Sequence, residues 1–367
     1  METSQTDGIE AMRDERNYSL LPHNTFGIDV QCQRFLEYGN VEEAKAVARI
    51  LREEQLPFMI IGAGSNLLLT QDYPGIVVHS AIKGISLALP PSPLTPHHSP
   101  LTSPHSPLTS HLSLLTCGSG ETWDDIVAWS VGMGFSELVN LSLIPGDVGA
   151  SAVQNIGAYG AEACQYIHEI KAIEIATGDI VIIPREECRY GYRDSRFKHE
   201  WKNHYLITHV SYQLHRNSVL NTEYGNIRTE LDKQGIVSPT PQQLRDIIIG
   251  IRRAKLPDPS ELGNAGSFFM NPIVSRAKYE ELQKAYPLMP HYYINEELEK
   301  IPAGWLIDQC GWKGRSMGRA GVHDKQALVL VNRAGAEGKD IVTLCQAIQE
   351  DVRQKFGIDL KPEVNIV

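Results

Sequence analysis

Apolar positions along this chain are spaced in some stretches at the helix period and in others at the strand period. Phe58-Met59-Ile60-Ile61 is a short apolar run between Pro57 and Gly62, and its length and flanking breakers predict a buried strand rather than a helix. The chain then passes through Gly62-Ala63-Gly64-Ser65-Asn66 and turns apolar again at Leu67-Leu68-Leu69, which predicts a turn and a second strand. Ordered structure is expected to begin at Asn24-Thr25-Phe26-Gly27-Ile28, and helical apolar spacing follows over 41–51. A strand at 75–79 completes a β-α-β order, as in a small α/β unit. Further on, 122–129 predicts a helix with Thr122 as N-cap and Asp125 completing a capping-box-like start. Strands are expected at 169–175 and 180–183, joined by a hairpin turn at Ala176-Thr177-Gly178-Asp179, with another at 205–214. A helix at 241–253 leads into Lys255-Leu256-Pro257-Asp258-Pro259, read as a linker to a further α/β region that runs to the C-terminus.

Two stretches break this pattern. Residues 1–17 are polar and acidic, without the basic and apolar regions of a signal peptide, and are read as a disordered leader with Met12 as an alternative start. Between Leu87 and Thr116, Ser-Pro-Leu-Thr begins at Ser92, Ser99 and Ser106, and a decayed Ser-Leu-Leu-Thr begins at Ser113. The spacing matches a heptad, but a proline in every intact copy excludes a coiled coil. This tract, placed at 88–115, is read as an extended, mobile insertion in a hairpin loop. Two active readings stay open beside that one: a proline-rich ligand for a partner protein, and a metal site made by His97, His98, His105 and His111.

Composition narrows the function classes. At 367 residues, 42% hydrophobic and 21% charged, the chain has room for two or three ordinary soluble domains. A net charge of −10 supplies no broad basic face for nucleic-acid phosphates, so bound anions must be held by local glycines and single basic residues. Cys32, Cys117, Cys164, Cys188, Cys310 and Cys345 are scattered without metal-ligand spacing, which points to reduced thiols, a cytoplasmic location and no metal. No apolar run approaches the ~20 residues of a membrane helix. The expected partner is therefore a small-molecule substrate rather than nucleic acid or membrane, and the expected state is a monomer.

Candidate chemistry concentrates in two glycine-bearing stretches. In the 62–66 turn, Gly62 and Gly64 allow positive φ and bring bare N–H groups near an anion, as in a phosphate cradle. A Rossmann turn is the rival, but its third glycine falls on Leu67 and strand rather than helix follows; a tight turn between core strands is the plain alternative. The second stretch, Ile144-Pro145-Gly146-Asp147-Val148-Gly149-Ala150-Ser151-Ala152-Val153-Gln154-Asn155-Ile156-Gly157-Ala158-Tyr159-Gly160, is built almost wholly from small residues. Its backbone can lie close to a flat or phosphorylated ligand, or simply form a tightly packed turn.

These two stretches occur in order with Tyr192-Arg193-Asp194-Ser195, Gly263-Asn264-Ala265-Gly266-Ser267-Phe268-Phe269-Met270-Asn271-Pro272, Ala303-Gly304-Trp305-Leu306-Ile307-Asp308-Gln309-Cys310 and Pro362-Glu363-Val364. The ordered set resembles the UDP-N-acetylenolpyruvoylglucosamine reductase family over 18–367, excluding only the leader and the repeat tract. The resemblance implies an α+β chain with an FAD-binding fold of the vanillyl-alcohol-oxidase (PCMH) type. Its FAD-binding subdomains would lie at 18–80 and 81–254, a substrate-binding domain at 255–357, and a C-terminal strand at 358–367 returning to the active site. It implies an oxidoreductase of peptidoglycan synthesis, and so of cell shape and division, with non-covalent FAD and NADPH as co-substrate. Gly62, Ala63, Gly64, Ser65 and Asn66 would then bind FAD, as would Pro145, Gly146, Ser151, Gln154, Asn155, Gly157, Ala158, Tyr159 and Gly160. By the same resemblance Tyr192, Tyr224, Lys255, Asn271, Tyr292, Lys313 and Gln326 would bind the sugar nucleotide, with Tyr293 an alternative to Tyr292. Met270 stands where many relatives carry a basic residue.

The implied reaction can be argued chemically. Reducing an enolpyruvyl ether needs a hydride at C3, stabilisation of negative charge spreading from C2 into the carboxylate, and a proton at C2. Flavin supplies hydride, which no side chain can. By resemblance Arg193 stabilises the enolate through a planar donor fork that stays charged, with Glu363 beside it, protonated if it bonds the dianion. Ser267 would donate the C2 proton. Plain alternatives are a structural ion pair for Arg193 with Asp194 or a nearby acid, a turn or helix cap for Ser267, and a solvated surface charge for Glu363. Two competing functions remain: an oxygen-using oxidase on the same flavin fold, and a non-catalytic binding protein acting through the proline-rich tract.

Overall fold

A computed structural model describes residues 12–88, 112–216 and 218–367. The chain divides into two compact units, one formed by Met1–Tyr18, Cys32–Gly62 and Pro74–Leu220, the other by Ser19–Gln31, Ala63–Tyr73 and Asn221–Val367. The region expected as a first subdomain at 18–80 is thus shared between the two.

The first unit holds two sheets. In the smaller, strands Arg13–Ser19, Gln31–Tyr38, Tyr73–Ser80 and Phe58–Ile61 lie side by side in that order. Phe58 to Ile61 run parallel to Ile76 to His79, which needs a crossover, and the preceding helix Val41–Glu54 lies along the sheet. That helix starts where Asn40 Oδ1 accepts the Glu43 N–H at 3.0 Å, and its buried face is Ala44, Val47, Ala48 and Leu51. Those residues pack with Leu36, Tyr38, Ile76 and Val78.

The larger sheet is antiparallel, ordered Ile180–Pro184, Ile167–Glu174, Tyr205–His215, Leu112–Gly118, Ile85–Ala88. Helices Trp123–Gly132 and Val148–Gln154 accompany it, and Trp123, Ile126, Phe135, Leu141, Val148 and Tyr212 share one core. The Trp123 indole N–H reaches Leu141 O at 2.9 Å and its ring meets Tyr212 edge-on at 5.7 Å, so the bulkiest buried side chain keeps its polar atom bonded.

In the second unit, strands Asn264–Ser267, Val329–Asn332, Ala320–Val322 and Ser316–Met317 form one sheet, with helix Gly338–Phe356 against it. Ile273–Ser275, Leu298–Lys300 and Tyr292–Tyr293 form a second. Asn365–Ile366 pairs in parallel with Leu67–Leu68, so the strand expected after the glycine turn finds its partner at the end of the chain. Helix Pro241–Lys255 begins with a reciprocal Thr240–Gln243 capping box.

Three expectations need correction. Residues 13–17 are not disordered but belong to the outer strand Arg13–Ser19, held because Arg34 pairs with both Asp14 and Glu54 and because Tyr18 stacks on Phe35 at 4.3 Å. An acidic composition reads as a solvated leader unless a buried arginine answers it. Thr122 is the N-cap of its helix, yet its side chain makes no capping bond; Thr122 instead forms a bridge with Asp147. The repeat tract is narrower than 88–115: Ala88 and Leu114 pair across a hairpin, and Ser113-Leu114-Leu115-Thr116 lies in a strand with Ser113 and Leu115 buried. The Ser-Pro-Leu-Thr copies, His97, His98, His105 and His111, and residues 1–11 lie outside the described residues. Among the described residues no helix is long and apolar enough to cross a membrane.

Candidate active site

The small-residue stretch of the first unit folds as a loop, the short helix Val148–Gln154, and a tight return through Gly157–Ala158 paired with Ala161–Glu162. Its compactness is what the residue types allow. A Cβ on Gly62 would stand 2.9 Å from the Ala150 methyl and 3.2 Å from Asp147 Oδ2, so the loop presses directly on the end of strand Phe58–Ile61. Gly146 O accepts the Trp123 N–H at 2.9 Å, while Val148 N and Gly149 N donate to Glu121 O and Ser119 O. The first turn of the helix is therefore closed by backbone oxygens.

Several side chains expected to face cofactor are occupied within the protein. Ser151 Oγ donates to Val148 O at 2.6 Å and lies 2.9 Å from the Tyr212 hydroxyl, itself buried and held far from ionisation by desolvation. Asn155 is fully buried; it donates to Glu162 Oε2 and Gly191 O and accepts from Cys164 N. These two residues help to build the loop. Tyr159, at φ 47°, has its carbonyl held by Asn140 Nδ2 at 2.9 Å. By contrast Gln154 Nε2 is buried without a hydrogen-bond partner.

Arg193 sits against this loop. It adopts φ 54°, donates from Nη2 to Gly157 O at 2.6 Å, and places its guanidinium 5.7 Å from the Tyr192 ring. Lys198 Nζ holds the Arg193 carbonyl at 2.9 Å. Asp194, one of the acids considered as a structural mate, lies 2.7 Å from His199 Nε2. Arg193 thus lies on the small-residue loop, as a group acting there requires.

In the second unit the remainder of the glycine turn meets the other two catalytic candidates. Gly64 has φ 67°, and a Cβ there would stand 1.9 Å from His23 O, so no other residue fits. Asn66 Nδ2 donates to Glu363 O at 3.3 Å and Asn66 O accepts Asn365 N at 3.1 Å. Glu363 N donates in turn to Phe268 O at 2.8 Å, and Met270 N to Lys361 O at 2.9 Å. The segment carrying Ser267 and the segment carrying Glu363 are therefore hydrogen-bonded neighbours, tied to the turn bearing Ala63, Ser65 and Asn66. Gly266, at φ 67°, interrupts the strand just before Ser267, and the Asn264 side chain pins that irregularity through Gly266 N and Leu262 O. Ser267 is left exposed between buried Ala265 and Phe268.

The sugar-nucleotide candidates of this unit fall into separate roles. Tyr224 and Tyr292 stack face to face, 6.3 Å apart and 7° from parallel, and Lys300 Nζ lies 5.6 Å over the Tyr292 ring. Tyr292 rather than Tyr293 makes this stack; Lys300 is a cation that sequence reasoning missed, since only strand pairing brings it opposite Tyr292. Asn271 Oδ1 accepts Ala303 N at 2.9 Å, anchoring the start of helix Ala303–Gln309. Gln326 Oε1 lies where a Gly304 side chain would, and Lys313 Nζ is 3.6 Å from Asp308. Lys255 lines a cleft between helices Ile227–Lys233 and Pro241–Lys255 beside Glu230 and Asp246.

All six cysteines are unpaired, and burial pushes the Cys117 and Cys345 thiols up to about 12. None is a poised nucleophile.

The family described as "UDP-N-acetylenolpyruvoylglucosamine reductase, C-terminal domain" matches residues 258–367. A UDP-N-acetylenolpyruvoylglucosamine reductase from Bacteroides fragilis is 47% identical over 353 residues, covering 96% of this chain and 100% of the relative. Its counterpart from Flavobacterium johnsoniae is 41% identical, covering 97% and 100%. The crystal structure of UDP-N-acetylenolpyruvylglucosamine reductase (MurB) from Thermus caldophilus shares the fold, with a TM-score of 0.62 at 21% identity over 97% of this chain and 99% of that one.

Proposed function

This chain belongs to the UDP-N-acetylenolpyruvoylglucosamine reductase family, and from that premise we propose how its residues serve the reaction. It is an oxidoreductase that reduces UDP-N-acetylenolpyruvoylglucosamine in peptidoglycan synthesis. We infer FAD as the bound cofactor and NADPH as the reductant, with UDP-N-acetylmuramate as product. The residues fit such a group: the small-residue loop leaves backbone accessible, and Gln154 Nε2 is a buried donor awaiting an acceptor. Gly62, Pro145, Gly146, Gly157, Ala158 and Gly160 would line it through backbone atoms, with Ala63, Gly64, Ser65 and Asn66 offering the glycine turn. When bound, FAD supplies the hydride that enters the enolpyruvyl group at C3.

The chain's own residues supply the rest. Arg193, fixed on Gly157 O, stabilises negative charge on the substrate carboxylate as C2 becomes electron-rich. Ser267 Oγ delivers the proton to C2, and Glu363 bonds the same carboxylate in its protonated form. The Tyr224–Tyr292 stack and Lys300 offer aromatic faces and a cation to the sugar nucleotide, with Tyr192, Lys255, Asn271, Lys313 and Gln326 as further contacts.

The observation that carries this reading is the hydrogen bond from Glu363 N to Phe268 O, which sets two distant catalytic candidates side by side on one frame. An anaerobic titration of the holoprotein tests it. Flavin absorbance near ~450 nm should bleach with NADPH and return on adding UDP-N-acetylenolpyruvoylglucosamine. Recovery only on admitting oxygen would favour an oxidase, and protein unable to take up FAD would overturn the cofactor assignment.

A further inference from the structure

One titratable cluster plays no part in the chemistry above, yet it touches the small-residue loop. His79 is the last residue but one of the strand Tyr73–Ser80, paired in register with Ile61, the residue before Gly62. Its Nδ1 lies 2.8 Å from Glu37 Oε2 and its Nε2 3.3 Å from Asp147 Oδ2, while the ring packs along Phe35 with centroids 6.5 Å apart. Both ring nitrogens face carboxylate oxygens. A neutral imidazole has only one N–H, so one of those contacts would oppose lone pairs; only the imidazolium satisfies both. Asp147 is the N-cap residue of helix Val148–Gln154, but its carboxylate makes no capping bond and turns to His79 instead, next to the position a Gly62 Cβ would take.

We propose that His79 is a positioning residue for the cofactor loop: as an imidazolium clamped between Glu37 and Asp147, it fixes Pro145-Gly146-Asp147 against Gly62 in the geometry that accepts FAD. The inference rests on the FAD assignment above. Glu37 comes from the adjacent strand and Asp147 from the loop, and Arg13, lying over the Tyr18 and Phe35 rings, adds a positive charge felt by Glu37. Burial pushes the His79 pKa down, but its bonds to Asp147 and Glu37, and their charges, outweigh burial and raise it to about 9. A raised pKa places the sign: the stability the clamp contributes is full below the ordinary histidine range, while the imidazolium itself persists until pH climbs through about 9.

The test titrates apoprotein with FAD from pH 6 to pH 10, using about 1 pH-unit steps across the histidine range. Apoprotein melting temperature and the His79 ring proton NMR shift are followed over the same series. Wild type should bind FAD evenly to about pH 8 and progressively more weakly above about 9, with the ring proton titrating at the same midpoint. H79Q should bind about tenfold more weakly at neutral pH, the effect of one lost charged hydrogen bond, and should show no high-pH inflection. E37Q leaves the loop contact in place and should move both midpoints to lower pH, which serves if H79Q does not fold. FAD binding by H79Q or E37Q that matches wild type in strength and pH profile overturns the proposal, as does a lowered melting temperature with unchanged FAD affinity. Wild type that binds no FAD at any pH overturns the cofactor assignment itself.

Discussion

Ser267 is exposed beside buried Phe268, so removing its hydroxyl should leave the fold alone and strike the reaction. Ser267→Ala should leave NADPH bleaching of the flavin intact while slowing reoxidation by substrate by about 10²–10⁴-fold, measured by stopped flow. Equal slowing of both steps would mean that the serine acts elsewhere. Gly64 behaves oppositely. Its φ of 67° and the 1.9 Å approach to His23 O make Gly64→Ala a change of backbone, with a loss of more than ~2 kcal/mol in urea unfolding. At this scale the glycines were legible from conformational need, whereas Arg193, Ser267 and Glu363 were singled out only by the ordered family motifs, because each has a plain structural alternative by itself. The sequence did not reveal the bonds that Ser151 makes to Tyr212 and Asn155 to Gly191, since those partners are distant in sequence. The Glu37–His79–Asp147 cluster escaped for the same reason: three elements supply it, and none of the three residues is unusual where it stands.

Elements with a local signature were legible almost to the residue. Phe58–Ile61 was read from its flanking breakers and Val41–Glu54 from its period, and both are as expected apart from a few residues at the helix end. What period cannot show is pairing. The strand Leu67–Leu68 lies beside Asn365–Ile366, with Val367 N donating to Leu68 O at 2.9 Å and Thr70 N to Val367 O at 2.7 Å. Ending the chain at Val364 removes these bonds, each worth ~1 kcal/mol, and leaves the segment that carries Glu363 held by its bonds to Phe268, Met270 and Asn66. Turnover should fall more steeply than thermal stability; stability lost with turnover per folded molecule unchanged would separate Glu363 from the reaction. The outer strand Arg13–Ser19 failed to show in the sequence because its charges are answered by Arg34, a partner that no pattern of spacing announces.

At the scale of the whole molecule, the hairpin joining Ile85–Ala88 to Leu112–Gly118 retains its own register, Ile85 with Cys117 through Ala88 with Leu114. Replacing 89–111 by a short flexible Gly-Ser connection should therefore preserve FAD content and turnover; loss of both would assign the Ser-Pro-Leu-Thr tract an active role. The wider organisation carries a different lesson. Each unit is drawn from three separated stretches, so neither is a contiguous piece of sequence. A chain cut after Leu220 would leave Ser19–Gln31 and Ala63–Tyr73 without what they bond, including Asn264 N on Thr25 O and Asn332 Nδ2 on Phe26 O. Seen from the ribosome, synthesis reaches Leu67–Leu68 early, but the strand that completes them, Asn365–Ile366, is made much later. The glycine turn that precedes Leu67–Leu68 therefore waits for a distant partner, and the second unit is expected to close late in folding, when that long-range pairing forms.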